Sequence, residues 1–145
     1  MIRKTIQVPG WFRWVAIVAL VWNLLGVAAW FYQAFLITPA MLVDMPEAQR
    51  ALIENQPTWV EWAHAIAVFG GFLGSFFLVI RSSLAVPAFT LSLAGIAVQM
   101  FHVFVMSKAL EVYGTAGVVM PVLIIVIAIY LLMVAGQARH QGWIN

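Results

Sequence analysis

Long runs of apolar residues, separated by short polar segments, dominate this chain. Four runs are long enough for a helix to cross the hydrocarbon core of a bilayer, which takes about 20 residues. They cover residues 14–37, 59–80, 84–107 and 116–136. Continuous apolar runs of this length predict helices, because lipid offers no partners for open backbone groups, and their lack of alternation argues against a barrel. We therefore predict an all-α membrane protein, a single domain over residues 1–145 that forms a four-helix transmembrane bundle.

The segment between the first two runs predicts a further short helix. Asp44 can cap it, Pro46 suits its first turn, and Glu47 stands three residues after the cap. Apolar and polar residues then separate onto two faces, as in an amphipathic helix. We predict a helix over 46–54 at the outer membrane surface, either as a connector resting at the interface or as a lid over a site below.

The composition excludes several classes of protein. Hydrophobic residues make up 65% of the chain and charged residues only 8%, whereas soluble domains carry about 25% charged residues. A soluble enzyme, a disordered tail and a nucleic-acid binder are therefore not expected. Since the chain has no cysteine, it can form no disulfide, zinc-thiolate site or thiol redox centre. The expected surroundings are the lipid bilayer, with no nucleic-acid partner.

The charges predict the orientation. Arg3, Lys4 and Arg13 precede the first run, Arg81 follows the second, and Arg139 follows the fourth. The other two connections carry all five acidic residues and the two remaining bases. Because basic connections stay in the cytoplasm, both termini are predicted to be cytoplasmic and the four helices antiparallel.

Polar side chains inside the runs recur at helical spacing beside glycine or alanine. Polar groups are costly in hydrocarbon unless they face the bundle interior, and small residues mark close helix contacts, so both rules turn the same face inward. The residues predicted to line a solute-binding site are Asn23, Trp30, Gln33, Glu61, His64, Gln99 and His102.

Depth along the helices narrows this prediction. His64 and His102 each stand about six residues, or roughly 9 Å, below the outer end of their runs, so we expect them at the same depth. Amides, imidazoles and the flat face of Trp30 form a mixture that suits sugars. The residues therefore predict binding or passage of a small polar, sugar-like solute through the bundle interior.

Two alternatives stay open. In the first, the polar stripe is structural, Asn23 and Gln33 link helices by hydrogen bonds, and the protein is a non-catalytic accessory or assembly subunit, as a homo-oligomer or with a partner membrane subunit. In the second, the two histidines bind haem iron, or Glu61, His64 and His102 bind a metal ion. A second histidine pair and a second Glu-x-x-His motif are missing, so we expect no cofactor and no metal. Since no serine stands in a recognisable relationship to histidine and acid, we expect no enzyme.

Several short stretches resemble a group of small bacterial four-span membrane proteins, which are mostly uncharacterised and in some cases labelled sugar transporters. They are WNLLGV at 22–27, PEAQRAL at 46–52, FGGFLG at 69–74, QM at 99–100, VYG at 112–114 and GWI at 142–144. The resemblance covers nearly the whole chain and implies four spans and a location in the bacterial inner membrane. A looser likeness to DoxX-type membrane proteins lies in the glycine-rich second run followed by Arg81.

Overall fold

The computed structural model describes residues 7–145, and every regular element in that range is a helix. Four helices are long and apolar enough to cross a membrane, as predicted. They are α1 (Gly10–Phe31, continued by the π-helical turn Tyr32–Leu36), α4 (Thr58–Val79), α5 (Ala85–Phe101, continued by the π-helical turn His102–Met106) and α7 (Ala116–His140). Arg3 and Lys4, which contribute to the predicted orientation, lie outside the described residues.

Two of the long helices extend beyond the apolar runs that predicted them. Helix α1 begins at Gly10 rather than at Trp14, and its additional turn buries Phe12 in the protein core. Helix α7 continues to His140, and its additional turn buries Ala138. An apolar run shows only which residues are hydrophobic. The additional turns of these two helices are stabilised by packing against neighbouring helices, as the burial of Phe12 and Ala138 shows.

Three short helices lie in the connections: α2 (Pro39–Val43), α3 (Glu47–Glu54) and α6 (Ala109–Tyr113). The predicted amphipathic helix is present as α3, which contacts α6. The prediction that Asp44 caps α3 was wrong, because Asp44 is the C-terminal cap residue of α2 and Pro46 occupies the N-cap position of α3. We call the end of the molecule that carries these short helices the loop end.

The long helices pack in a series in which α1 contacts α4, α4 contacts α5, and α5 contacts α7. The contact between α4 and α5 is the most extensive of the three. Direct contact between α1 and α7, the first and last members of the series, is sparse over the described residues. One side of the helix group is therefore held together less tightly than the others.

Small residues let the backbones of α4 and α5 approach closely. A Cβ atom on Gly70 would lie only 3.0 Å from the backbone nitrogen of Ser92. A Cβ atom on Gly95 would lie 2.7 Å from the carbonyl oxygen of Ala63 and 2.8 Å from the backbone nitrogen of Ala67. The Ser92 hydroxyl donates a hydrogen bond of 2.6 Å to the carbonyl oxygen of Ala67, which adds a polar link to this contact.

A buried apolar cluster connects all four long helices at the end opposite the short helices. We call this the tail end, because Ile144, which precedes the last residue Asn145, is part of the cluster. The buried members are Phe12, Ala16, Ala19, Leu78, Ala85, Phe89, Leu131, Val134, Ala135, Ala138 and Ile144. Trp143 covers it with edge-on ring contacts to Trp11 and Phe12, each with 5.7 Å between ring centroids. The tail end is therefore the most tightly packed part of the molecule.

Helices α4 and α7 end in the same hydrogen-bonding pattern but with different residues at its left-handed position. After α7, that position is Gly142 with φ of 71°, and Trp143 N–H donates to the Ala138 carbonyl. After α4, the equivalent position is Arg81 with φ of 59°. This conformation costs a residue with a Cβ atom roughly 1–2 kcal/mol and costs glycine almost nothing.

The C-terminal segment holds the turn after α4 in place. Asn145 N–H donates a hydrogen bond of 3.0 Å to the carbonyl oxygen of Arg81, and Ser83 N–H donates one of 2.7 Å to the carbonyl oxygen of Asn145. These two backbone hydrogen bonds offset part of the conformational cost at Arg81.

The glycine contact between α4 and α5 can be tested by adding one methyl group. Gly95→Ala should lower the free energy of unfolding by about 1–3 kcal/mol, because the new Cβ meets backbone atoms that cannot move independently. Gly136→Ala is the matched control, since its Cβ meets no atom within 4 Å. Thermal unfolding of the detergent-purified protein measures both. Equal melting temperatures for the two variants would contradict the proposed close contact.

Candidate functional site

A cavity of about 520 Å³ lies among the four long helices. It borders the buried cluster of the tail end, with which it shares Phe89 and Leu131. Its wall is formed by Trp22, Asn23, Leu25, Gly26, Ala29 and Gln33 of α1 and its π-helical turn, His64, Ala67, Val68 and Gly71 of α4, Phe89, Ser92, Ile96, Gln99 and Met100 of α5, and Met120, Ile124, Ile127, Ala128 and Leu131 of α7. The volume is within the range of sites that bind small molecules, about 300–1,000 Å³.

Four of the seven predicted site residues line this cavity: Asn23, Gln33, His64 and Gln99. Ser92 is a fifth polar side chain in the wall, and most of the remaining wall is apolar. Asn23, His64 and Gln99 are partly buried at this wall, whereas Gln33 is exposed.

Asn23 links α1 to α4 at the side of the cavity. Its amide nitrogen donates hydrogen bonds of 2.8 Å to the hydroxyl oxygen of Ser75 and 2.9 Å to the carbonyl oxygen of Ala19. The Ser75 hydroxyl in turn donates to the carbonyl oxygen of Gly71 at 2.9 Å. A Cβ atom on Gly71 would collide with the side-chain oxygen of Asn23, so glycine makes room for this link. Asn23 thus has the structural role that the first alternative gave it.

The side chains of Gln33, His64 and Gln99 differ from that of Asn23, because they make no hydrogen bond to any other residue in the range 7–145. They come from three different helical segments, the turn after α1, then α4, then α5. Two amides and an imidazole therefore border one cavity with donors and acceptors that the protein leaves free for a ligand.

The other three predicted site residues lie outside the cavity wall. Trp30 packs edge-on against Phe69, with 5.3 Å between ring centroids. His102 lies edge-on to the ring of Trp59 at 5.5 Å. Glu61 is exposed at the surface of α4. The structure thus does not bring Trp30, Glu61 and His102 together with the four residues that line the cavity.

These positions also bear on the metal alternative. Over residues 7–145, no three histidine, cysteine, aspartate or glutamate side chains come close enough to bind a metal ion. Glu61, His64 and His102 accordingly do not form the ligand set that the second alternative requires.

Sequence reasoning missed the contribution of α7. Met120, Ile124, Ile127 and Leu131 follow helical spacing and form one side of the cavity. Their spacing was visible in the sequence, but α7 is apolar around its whole circumference, so no polar residue distinguished the face that lines a cavity from the outward face.

Comparisons with models of protein families, with curated proteins and with solved structures find no match to this chain. The resemblance to small bacterial four-span proteins stays a prediction from the sequence, and the functional argument rests on the geometry of the cavity.

The link between Asn23 and Ser75 can be measured by a double-mutant cycle. Asn23→Ala and Ser75→Ala should each destabilise the protein, with a coupling energy of about 0.6 kcal/mol, which is typical of hydrogen bonds between membrane-spanning helices. Thr90→Ala is the control partner for Asn23→Ala, because the Thr90 hydroxyl is exposed and bonds only within its own helix. Coupling as large with Thr90 as with Ser75 would contradict a specific link.

Proposed function

We propose that this chain is a multi-pass protein of the bacterial inner membrane, whose four long helices cross the bilayer antiparallel with both termini in the cytoplasm. The length and apolar character of the helices support insertion. The order of contacts supports the antiparallel arrangement, since Gly70 approaches Ser92 whereas Gly74, further along α4, approaches Phe89, which comes earlier in α5. The separation of basic from acidic connections supports the orientation.

We further propose that the protein binds a small solute in the cavity between these helices, for carriage across or within the membrane. One observation carries this proposal: Gln33, His64 and Gln99 border a single cavity and have no hydrogen-bond partner among residues 7–145. His64 and Gln99 are partly buried and Gln33 is exposed. Polar side chains within membrane-spanning helices commonly mark a ligand or ion pathway.

The cavity wall also indicates the chemistry of the solute. A sugar carries hydroxyl groups on every side, and each needs a partner once it leaves water. Here three free polar side chains border one part of a wall that is otherwise mainly apolar, and Asn23 and Ser92 already use their donors within the protein. The wall therefore favours a solute with one polar end and an apolar body over the fully polar, sugar-like solute predicted from the sequence.

The sparse contact between α1 and α7 suggests how such a solute enters. Both helices contribute to the cavity wall, and they meet mainly in the tail-end cluster. We propose that the solute enters between them from the lipid, where a molecule with an apolar body accumulates.

In the alternative of an accessory subunit, the outer helices would bind the partner. Only 11% of the apolar window of α1 and 17% of that of α7 is buried within the chain, compared with 39% for α4. These faces suit lipid, a second copy of the chain or a partner membrane subunit equally well, because all three are apolar. Loss of a bound solute from a cavity-filling variant separates the two proposals, since an accessory role does not require the cavity.

The orientation can be tested with single cysteines, because the chain contains none. Thr115→Cys and Gln141→Cys place exposed thiols at opposite ends of α7. A membrane-impermeant maleimide should label Thr115→Cys in intact spheroplasts and should label Gln141→Cys only after permeabilisation. Labelling of both from outside would show that α7 does not cross, and the reverse pattern would show that the orientation is inverted.

Solute binding can be tested by filling the cavity at Gly26. A Cβ atom there meets only the side chain of Val68, at 3.8 Å, so Gly26→Leu extends into the cavity without a backbone clash. Gly136→Leu introduces the same side chain at an exposed position with open space. Mass spectrometry of solvent extracts of purified protein should find a co-purified small molecule with the wild type and Gly136→Leu, and at least about tenfold less with Gly26→Leu, the ratio expected for a loss of about 1.4 kcal/mol.

A second variant tests the contact with the polar end of the solute. Gln99→Met keeps the length of the side chain but removes the unpaired amide, so it should lower the amount of bound molecule without lowering the melting temperature of the solute-free protein. Equal amounts of bound molecule in the wild type, Gly26→Leu and Gln99→Met would contradict binding in this cavity.

A further inference from the structure

A second, smaller groove lies between α1 and the end of α4 at the tail end. Its volume is about 210 Å³, and it shares no residue with the large cavity. The lining residues are Arg13, Ala16 and Ile17 of α1, with Leu78, Val79 and Arg81 at the end of α4. Two of these six residues are arginines, in a chain that has only seven basic residues altogether.

Over residues 7–145, no acidic side chain pairs with either arginine of this groove. The only ion pair in that range joins Arg50 to Glu54, which lie in α3 at the loop end. The five acidic residues of the chain all lie in the segments near that loop end, in or beside the short helices and the first turn of α4. Arg13 and Arg81 are both exposed, so their guanidinium groups can reach an external anion.

Arg81 occupies a backbone position where glycine is the favoured residue. Ser82 N–H donates to the carbonyl oxygen of Phe77 around this turn, just as Trp143 N–H donates to the carbonyl oxygen of Ala138 around Gly142. The same chain thus uses glycine for this turn after α7 and arginine after α4. A non-glycine residue in a left-handed conformation is uncommon, and here this residue places a guanidinium at the edge of the groove.

The rest of the groove is apolar and continues onto the outer surface of the helices. Ile17 is 47% exposed and Val79 is 41% exposed, while Ala16 and Leu78 form the buried floor. A ligand that fits this surface has an anionic group at the tail end and an apolar part that runs along α1 and α4. Guanidinium groups bind phosphate with two parallel hydrogen bonds, which makes arginine well suited to this anion.

We infer that the groove between α1 and α4 binds the phosphate of an anionic phospholipid of the cytoplasmic leaflet, held by Arg13 and Arg81, with its acyl chain along Ile17 and Val79. Basic pockets between membrane helices on the cytoplasmic side bind lipid headgroups by this chemistry. This inference rests on the membrane placement in the proposed function but not on the solute cavity.

Native mass spectrometry of the delipidated protein, titrated with phosphatidylglycerol or phosphatidylcholine in detergent, tests this inference. The wild type should bind phosphatidylglycerol about tenfold more tightly than phosphatidylcholine, and Arg13→Gln and Arg81→Gly should each abolish this preference. Arg139→Gln is the matched control, because it removes an exposed arginine near the same end but outside the groove. Loss of the preference in Arg139→Gln as well would show general charge attraction and overturn the assigned site.

Arg81→Gly also separates binding from folding. Glycine relieves the left-handed conformation, so this variant should melt at the same temperature as the wild type or higher in lipid-free detergent, although it no longer binds the lipid. If Arg81→Gly lowers the melting temperature, Arg13→Gln decides the question, since it leaves the turn at Arg81 unchanged. Unchanged phosphatidylglycerol preference in Arg13→Gln would overturn the proposal.

Two further measurements are needed. The first distinguishes a phospholipid headgroup from soluble phosphate, and the second separates lipid binding from solute binding. Inorganic phosphate at millimolar concentration should not displace phosphatidylglycerol, because it lacks the acyl chain; full displacement would show a site for soluble phosphate instead and overturn lipid binding. Gly26→Leu should keep the lipid preference whether or not a solute occupies the cavity. Sedimentation of the expressed protein with the membrane fraction checks the placement on which the inference depends.

Discussion

The close approach of α4 and α5 is the contact on which the rest of the molecule depends. It is possible because Gly70 and Gly95 present no side chain where the opposite backbone passes, so any larger residue would separate the two helices. With these helices fixed as a pair, α1 packs on the outside of α4 and α7 packs on the outside of α5. The cavity is the space left between the outer helices, and His64 and Gln99 border it from the two sides of the central pair.

The polar groups of the bundle interior divide into two kinds, and this division underlies the functional proposal. The side chains of Asn23, Ser75 and Ser92 are satisfied by hydrogen bonds within the protein and strengthen helix contacts. The side chains of Gln33 and His64, together with Gln99, are left without such partners at the cavity wall. If polar residues served only to hold the helices together, the side chains without partners would contribute nothing to stability, since unpaired polar groups destabilise an apolar interior.

The sequence predicted the four long helices well, because about 20 continuous apolar residues have few other uses, and it predicted four cavity residues, because polar groups in such runs turn inward. It grouped His102 with Gln99 by their spacing, but the ring of His102 lies edge-on to Trp59, outside the cavity wall. Spacing along one helix does not reveal this contact with a residue of another helix. The sequence also did not predict which face of α7 lines the cavity, because this helix is apolar on every side. Nor did it predict the contacts of the C-terminal segment with Arg81, which join residues far apart in the chain.

An experimental density map of the protein in a lipid nanodisc tests the central claim most directly, because it shows the helix packing and the content of the cavity together. The account predicts α4 and α5 in backbone contact at Gly70 and Gly95, and an elongated non-protein density among the four helices that ends within hydrogen-bonding distance of His64 and Gln99. A map in which α1 and α7 close against each other and fill this space, or in which His64 faces lipid, would contradict it.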